Sequence, residues 1–317
     1  MSTSSSSNSQ PTLDTTITVA LAEASIAAYA AYKNESYTPP TGYACVDQWT
    51  GWDAFLVTGT EELFGLVFQS TAQPGTFIFA FRGTDSDMDI YEDVHFETVD
   101  FVPSDNQPIS PTPRVAGGFY GIYDSLGGSM TASMRGQLFA LIQKYSPTTL
   151  YVTGHSLGAA LSQLFSLDLA VSRPSASMAT QNINFASPMV GTADWQTAYQ
   201  NLIAADASVR CYNYWDYVPA LPPSDFGYLP VGAGFRTAFY VQGEWYPHEL
   251  SRHSIKNLNI VLGNALPENP QVWKGTFQDQ VDASLTMQSD VPPTGADVQW
   301  ADKAREVMAY EQSLRVA

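Results

Sequence analysis

The chain has 317 residues, 44% of them hydrophobic, which is enough to bury a sizeable core in one large α/β domain or two smaller ones. A formal net charge of −17, with only 14 Lys plus Arg and no basic cluster, argues against nucleic acid as a partner and against electrostatic attraction to anionic membranes. Two cysteines, Cys45 and Cys211, exclude a disulfide scaffold, and no Cys/His set has metal-ligand spacing.

Residues 1–11 are Ser-rich and are expected to be disordered. The apolar run 19–31 carries Glu23 and is dominated by alanine, and residues 1–18 hold no Lys or Arg. Neither stretch reads as a signal peptide or a membrane span, and the compartment is left open. Residues 12–33 read as a helix with Asp14 close to its start. Strands are expected at 53–58 and 63–70, joined by a hairpin at Gly59-Thr60-Glu61, and a third strand at 76–81. An acidic and apolar segment, 85–105, runs into the proline-rich stretch 103–113, and a helix is expected at 124–145.

A strand at 148–153 and a helix at 159–170 follow, with Leu161, Leu164, Phe165, Leu167 and Leu169 mostly on one side of that helix. Then come a strand at 182–186, a helix at 192–204, a strand at 209–214, a short strand at 237–241 and a short helix at 253–262. Cys211 falls inside one of these apolar strands, which favours a buried free thiol over a Cys45–Cys211 bridge. The stretch from 264 onward is loop-rich and closes with an amphipathic helix from about 298 to 314. Strands alternating with helices predict the α/β class, with a mostly parallel central sheet covered by helices on both faces. Residues 12–263 are expected to form one α/β domain, and 264–317 a C-terminal extension packing on it.

The most informative residues are Gly154-His155-Ser156-Leu157-Gly158, a G-x-S-x-G pentapeptide set between the 148–153 strand and the following helix. That context makes it a nucleophile elbow, in which a strained strand-to-helix turn exposes the serine hydroxyl at the top of a sheet. The glycines permit the tight turn, and the helix N-terminus offers partial positive charge to an oxyanion.

A serine nucleophile needs a base, and the base needs an orienting carboxylate. In this kind of elbow the order along the chain is Ser, Asp or Glu, then His. The chain has four histidines. His95 precedes Ser156, and His155 lies within the elbow and is expected to point away from the nucleophile. His253 is the favoured base and His248 the weaker alternative. Asp216 is the favoured carboxylate, because it follows the end of a strand and precedes a Pro-rich exit. Its plainer reading is a turn cap.

With Phe81-Arg82-Gly83-Thr84, Asn213-Tyr214-Trp215-Asp216-Tyr217-Val218-Pro219 and His253-Ser254-Ile255 added to the elbow, the chain resembles the fungal-type class 3 lipase family over about residues 20–262. The resemblance implies an α/β-hydrolase fold and a serine ester hydrolase that uses Ser156, Asp216 and His253. It implies an oxyanion hole formed by the backbone N–H of Thr84, helped by its hydroxyl, and the backbone N–H of Leu157. It also implies that 85–105 is a lid presenting Met88, Ile90, Tyr91, Val94 and Phe96 to substrate. The departures are Leu258, where members often carry an aromatic, and the unmatched stretch after 264.

The implied activity is hydrolysis of a carboxylic ester or lipid at an oil–water interface, most directly a triacylglycerol lipase, without a cofactor. Phospholipase, phenolic-acid esterase and acyltransferase activities use the same triad. A non-catalytic lipid- or partner-binding protein is the remote alternative. Asp85-Ser86-Asp87-Met88-Asp89 fails as a calcium loop, since Ile90 stands where Gly is needed and Phe96 where the bidentate Glu is needed. No metal is expected. Asn34-Glu35-Ser36 is a glycosylation sequon.

Overall fold

The computed structural model describes residues 11–53, 59–84, 97–172, 177–213, 216, 218–222, 226–237, 239–241 and 250–263, with short strands at 265–266, 269–273 and 285–287. The centre is a seven-stranded sheet built from β1 (Tyr43–Asp53), β2 (Thr60–Ser70), β3 (Thr76–Phe81), β6 (Thr149–Gly154), β7 (Ala179–Phe185), β9 (Ser208–Asn213) and β11 (Ala233–Thr237), side by side in that order. The β1–β2 and β2–β3 pairs are antiparallel. From β3 through β6, β7, β9 and β11 every pair is parallel. A smaller sheet of β4 (Thr98–Asp100), β5 (Arg114–Ala116), β8 (Gly191–Thr192) and β10 (Tyr228–Leu229) lies beside it.

Helices cover both faces of the large sheet. On one side lie α1 (Thr15–Tyr32) and α7 (Ile255–Gly263), and on the other α2 (Gly117–Asp124), α3 (Met134–Tyr145), α4 (Leu157–Ser172) and α5 (Ala193–Leu202). The alternation of a strand sorts its side chains between the two cores. Phe77, Phe79 and Phe81 of β3 join the core beneath α2 to α5, whereas Ile78 and Ala80 join the one beneath α1 and α7. Each such burial contributes roughly 1.5–3 kcal/mol, which is why a strand covered on both faces reads as an unbroken apolar run. The alanines of α1, Ala24, Ala27 and Ala28, let that helix lie close against the strands. Asp14 caps it by accepting hydrogen bonds from the N–H groups of Thr16 and Ile17, at 2.9 and 3.2 Å.

Several expectations shift. The first hairpin strand is β1, beginning at Tyr43, upstream of the expected 53–58, of which 54–58 lies outside the described residues. Two irregularities of register, at Cys45/Asp47 and Trp49/Thr50, break the alternation that would have revealed it. The expected helix 124–145 is confined to α3 from Met134, where Ser133 caps the Gly136 N–H, while α2 is a separate helix ending at Asp124. The short strand expected at 237–241 is two, β11 and β12 (Phe239–Val241), and β11 is the parallel edge of the main sheet. The expected 253–262 helix is broken at Ser254, with α6 (Leu250–His253) before it and α7 after it. Beyond α7, the chain returns to pair residues 285–287 antiparallel with β12. The amphipathic helix expected at 298–314 lies outside the described residues. Cys45 and Cys211 are both free thiols, and burial pushes the Cys211 thiol far above its ordinary range. Among the described residues no helix is long and apolar enough to cross a membrane.

Candidate active site

The parallel strands end together at one edge of the sheet, and the site is built there. Phe81 of β3 is in register with Gly154 of β6, so Arg82-Gly83-Thr84 and His155-Ser156-Leu157 leave the sheet side by side. Ser156 sits in the left-handed region at φ 57°, and its N–H donates to the Phe185 carbonyl at 3.0 Å, so the turn is strained yet fixed to β7. Helix α4 starts at the next residue. The close approach demands glycine. A Cβ on Gly158 would run into the Arg82 carbonyl oxygen, and one on Gly83 would lie 2.7 Å from the His155 carbonyl oxygen and 3.1 Å from Ser156 Cβ.

Asp216 and His253, 37 residues apart, meet at 2.7 Å between Oδ2 and Nδ1, both buried. The other carboxylate oxygen of Asp216 accepts the Val218 N–H at 2.9 Å. Asp216 thus caps the turn with one oxygen and contacts the His253 ring with the other. With Nδ1 on the carboxylate, Nε2 is the His253 nitrogen that takes up a proton. The Ser156 hydroxyl is buried with no hydrogen bond to a described residue. Such a link is often long before substrate arrives and tightens only in the reacting complex.

Thr84 ends the Phe81 to Thr84 segment with its hydroxyl buried and unbonded among the described residues. The Leu157 N–H lies at the first position of α4, where a helix has no preceding turn to supply an intrahelical acceptor. Both are donors a short distance from Ser156 along the chain or across the sheet edge. His248 and the lid candidates Met88, Ile90, Tyr91, Val94 and Phe96 lie outside the described residues. The C-terminal part of the expected lid range is fixed: Thr98–Asp100 forms β4 against β5, and Phe101 is buried edge-on to Trp195. Asp168 of α4 accepts the Ser104 N–H at 2.7 Å and the Tyr123 hydroxyl at 2.9 Å, pinning this end of the segment.

Two positions carry more than their sequence context suggested. His155 is buried with its ring centroid 4.5 Å from that of His253. Its Nε2 lies 2.7 Å from the His253 carbonyl oxygen, which can only accept, so Nε2 carries the proton and Nδ1 accepts from the Tyr29 hydroxyl at 2.9 Å. Burial first, and then the neighbouring His253, hold this imidazole well below its ordinary range. His155 thus stands neutral beside His253 and fixes its backbone. Asn213, at the end of β9, does the same one residue earlier, donating to the Arg252 carbonyl at 3.1 Å. Asn213 was legible as part of a motif, but Tyr29 had no local signal, since its partner is 126 residues away. Among the described residues no cluster of three or more His, Cys, Asp or Glu could hold a metal ion.

A mostly parallel sheet with helices on both faces and a serine elbow at its edge defines an α/β-hydrolase-like protein. Solved structures of similar fold include a lipase of Rhizopus microsporus var. chinensis, with TM-score 0.54 and 21% identity over 72% of this chain and 76% of that one. The class 3 lipase family model matches residues 78–226 of this chain. A lipase of Rhizomucor miehei is 29% identical over 200 residues, covering 57% of this chain and 50% of that protein. Phospholipase A1-IIgamma of Arabidopsis thaliana is 30% identical over 186 residues, 53% of this chain and 43% of that protein. The chain spans about half the length of the curated relatives it matches.

Proposed function

We propose that this chain is a serine carboxylic ester hydrolase acting on acyl glycerolipids, in the first instance a triacylglycerol lipase. Ser156 attacks the ester carbonyl while His253 Nε2 takes its proton and then delivers it to the leaving alcohol. Asp216 holds the imidazole in the required tautomer and stabilises its cation. The backbone N–H groups of Thr84 and Leu157, with the Thr84 hydroxyl, bind the oxyanion. Water activated by His253 then releases the fatty acid and restores the serine. The catalytic unit in this reading is 12–263. The observation that carries the reading is the buried Asp216–His253 pair at 2.7 Å, its imidazole centroid 4.5 Å from that of His155, which precedes a serine held at φ 57° on a strand-to-helix turn.

The plant relatives named as phospholipases A1 favour a second reading, in which a phosphoglyceride is the substrate of the same machinery. The test is the hydrolysis rate against tributyrin concentration across its solubility limit, with Ser156→Ala as control and phosphatidylcholine vesicles in parallel. Wild-type turnover that Ser156→Ala abolishes is expected, with a rise in rate beyond saturation. Turnover retained by Ser156→Ala would refute the serine mechanism. Smooth saturation below the limit would make the protein an esterase acting on dissolved esters.

A further inference from the structure

One half of the oxyanion hole in this reading is the peptide unit Gly83–Thr84, whose direction must be fixed before substrate arrives. Thr84 makes no side-chain hydrogen bond to a described residue that could fix it. The fixing contact lies on the other side of the peptide. Arg82 Nη1 donates to the Gly83 carbonyl at 2.9 Å. A trans peptide is planar, with its carbonyl and N–H pointing in opposite directions. Holding the Gly83 oxygen therefore turns the Thr84 N–H away from the guanidinium. Gly83 itself backs directly onto Ser156.

The guanidinium is a rigid holder. Arg82 is fully buried, yet its charge is matched: Nη2 pairs with the carboxylate of Glu62, and Nε donates to the Leu63 carbonyl at 2.6 Å. Its plane lies over the Tyr32 and Phe64 rings, 3.8 and 4.2 Å from their centroids. Three of its contacts are to β2, so a strand that contributes nothing to the triad sets the angle of the oxyanion donor. Burying a cation is costly unless it is paired, and an apolar residue would fill this space as well. We infer that Arg82, anchored by Glu62, is a positioning residue that aims the Thr84 N–H at the developing oxyanion.

The inference rests on the proposed serine mechanism, and one experiment separates the two. Wild type, Arg82→Lys and Glu62→Ala are compared with a soluble p-nitrophenyl ester, with active sites titrated, alongside binding of an alkyl boronic acid, which forms a tetrahedral oxyanion-like adduct on the serine. Lysine keeps the charge but loses the planar fork. Removing a whole oxyanion donor lowers kcat about 10²–10³-fold, so misaiming one is expected to lower it about 10- to 100-fold in Arg82→Lys. KM should stay within about twofold, and boronate affinity should fall by the same factor as kcat.

Glu62→Ala loosens one anchor only, and a smaller loss of about 3- to 10-fold with the same pattern is expected. This milder variant decides the matter should Arg82→Lys not fold. A purely structural role would reduce the number of titrated sites while leaving kcat and boronate affinity per site unchanged, and that result would overturn the inference. Inactive wild type would instead remove the proposed mechanism, and this inference with it.

Discussion

His155 leaves the site little room for a second charge. Its ring lies against that of His253, its protonated nitrogen is committed to a carbonyl, and its other nitrogen accepts from Tyr29. In the unfolded chain this imidazole titrates near the ordinary value of 6.5, but in the folded protein it takes a proton only at much lower pH. Between the two values the unfolded chain binds the proton and the folded chain does not. Stability is therefore full above pH 6.5 and falls as the pH drops below it, by up to about 1.4 kcal/mol per unit. Urea unfolding at pH 7.5 and 5.5 should show a larger loss for wild type than for His155→Gln. Equal losses would mean that the fold accommodates the charged ring.

Helix α4 shows how an element is read correctly in kind and incorrectly in surroundings. Its apolar residues suggested one buried side, yet every residue from Leu157 to Leu169 is buried, because the helix lies between the sheet and the outer helices. Two of its buried serines find partners along the helix and across to β7. Ser162 and Ser166 bond to backbone carbonyls of their own helix and receive the Asn182 amide, at 3.0 and 2.9 Å. Periodicity cannot report a helix covered on all sides, since it loses the polar stripe that marks an exposed face.

Phe165 anchors this packing, with ring centroids 6.1 Å from Phe79, 6.1 Å from Phe81 and 6.0 Å from Phe139. Phe165→Ala is expected to destabilise the protein by about 3–5 kcal/mol, since a cavity between sheet and helix closes poorly. Chemical denaturation measures it. A loss below about 1 kcal/mol would mean that α4 relaxes into the space, and the elbow at its N-terminus would move with it.

At the scale of the whole molecule the net charge of −17 bears on the proposed activity, because it sets which lipid surfaces the chain can approach. Repulsion from an anionic interface acts over about 10 Å at 0.1 M salt and farther in dilute buffer. Hydrolysis of ester substrate on anionic vesicles should be slower than on a neutral emulsion at low ionic strength, and the gap should close as salt is added. Equal rates at low salt would show that the face turned to lipid does not carry the overall charge.

The sequence alone determined the features that neighbouring residues build together: the elbow at Gly154 to Gly158, the strand–helix alternation that produces a parallel sheet, and the order of Ser156, Asp216 and His253. Each is a local pattern, because a tight turn, a buried strand or a strand-end carboxylate imposes its demands on adjacent positions. Tertiary structure alone decided which distant groups hold those parts in place. Tyr29 reaches His155 from the first helix, Asn213 takes the Arg252 carbonyl, and Arg82 is clamped to β2 while holding Gly83. Strand β11, irregular β1 and the fully enclosed α4 were likewise settled by what packs on them. A hydrogen bond spanning 126 residues leaves no spacing to read, because its geometry exists only once both cores have closed on the sheet.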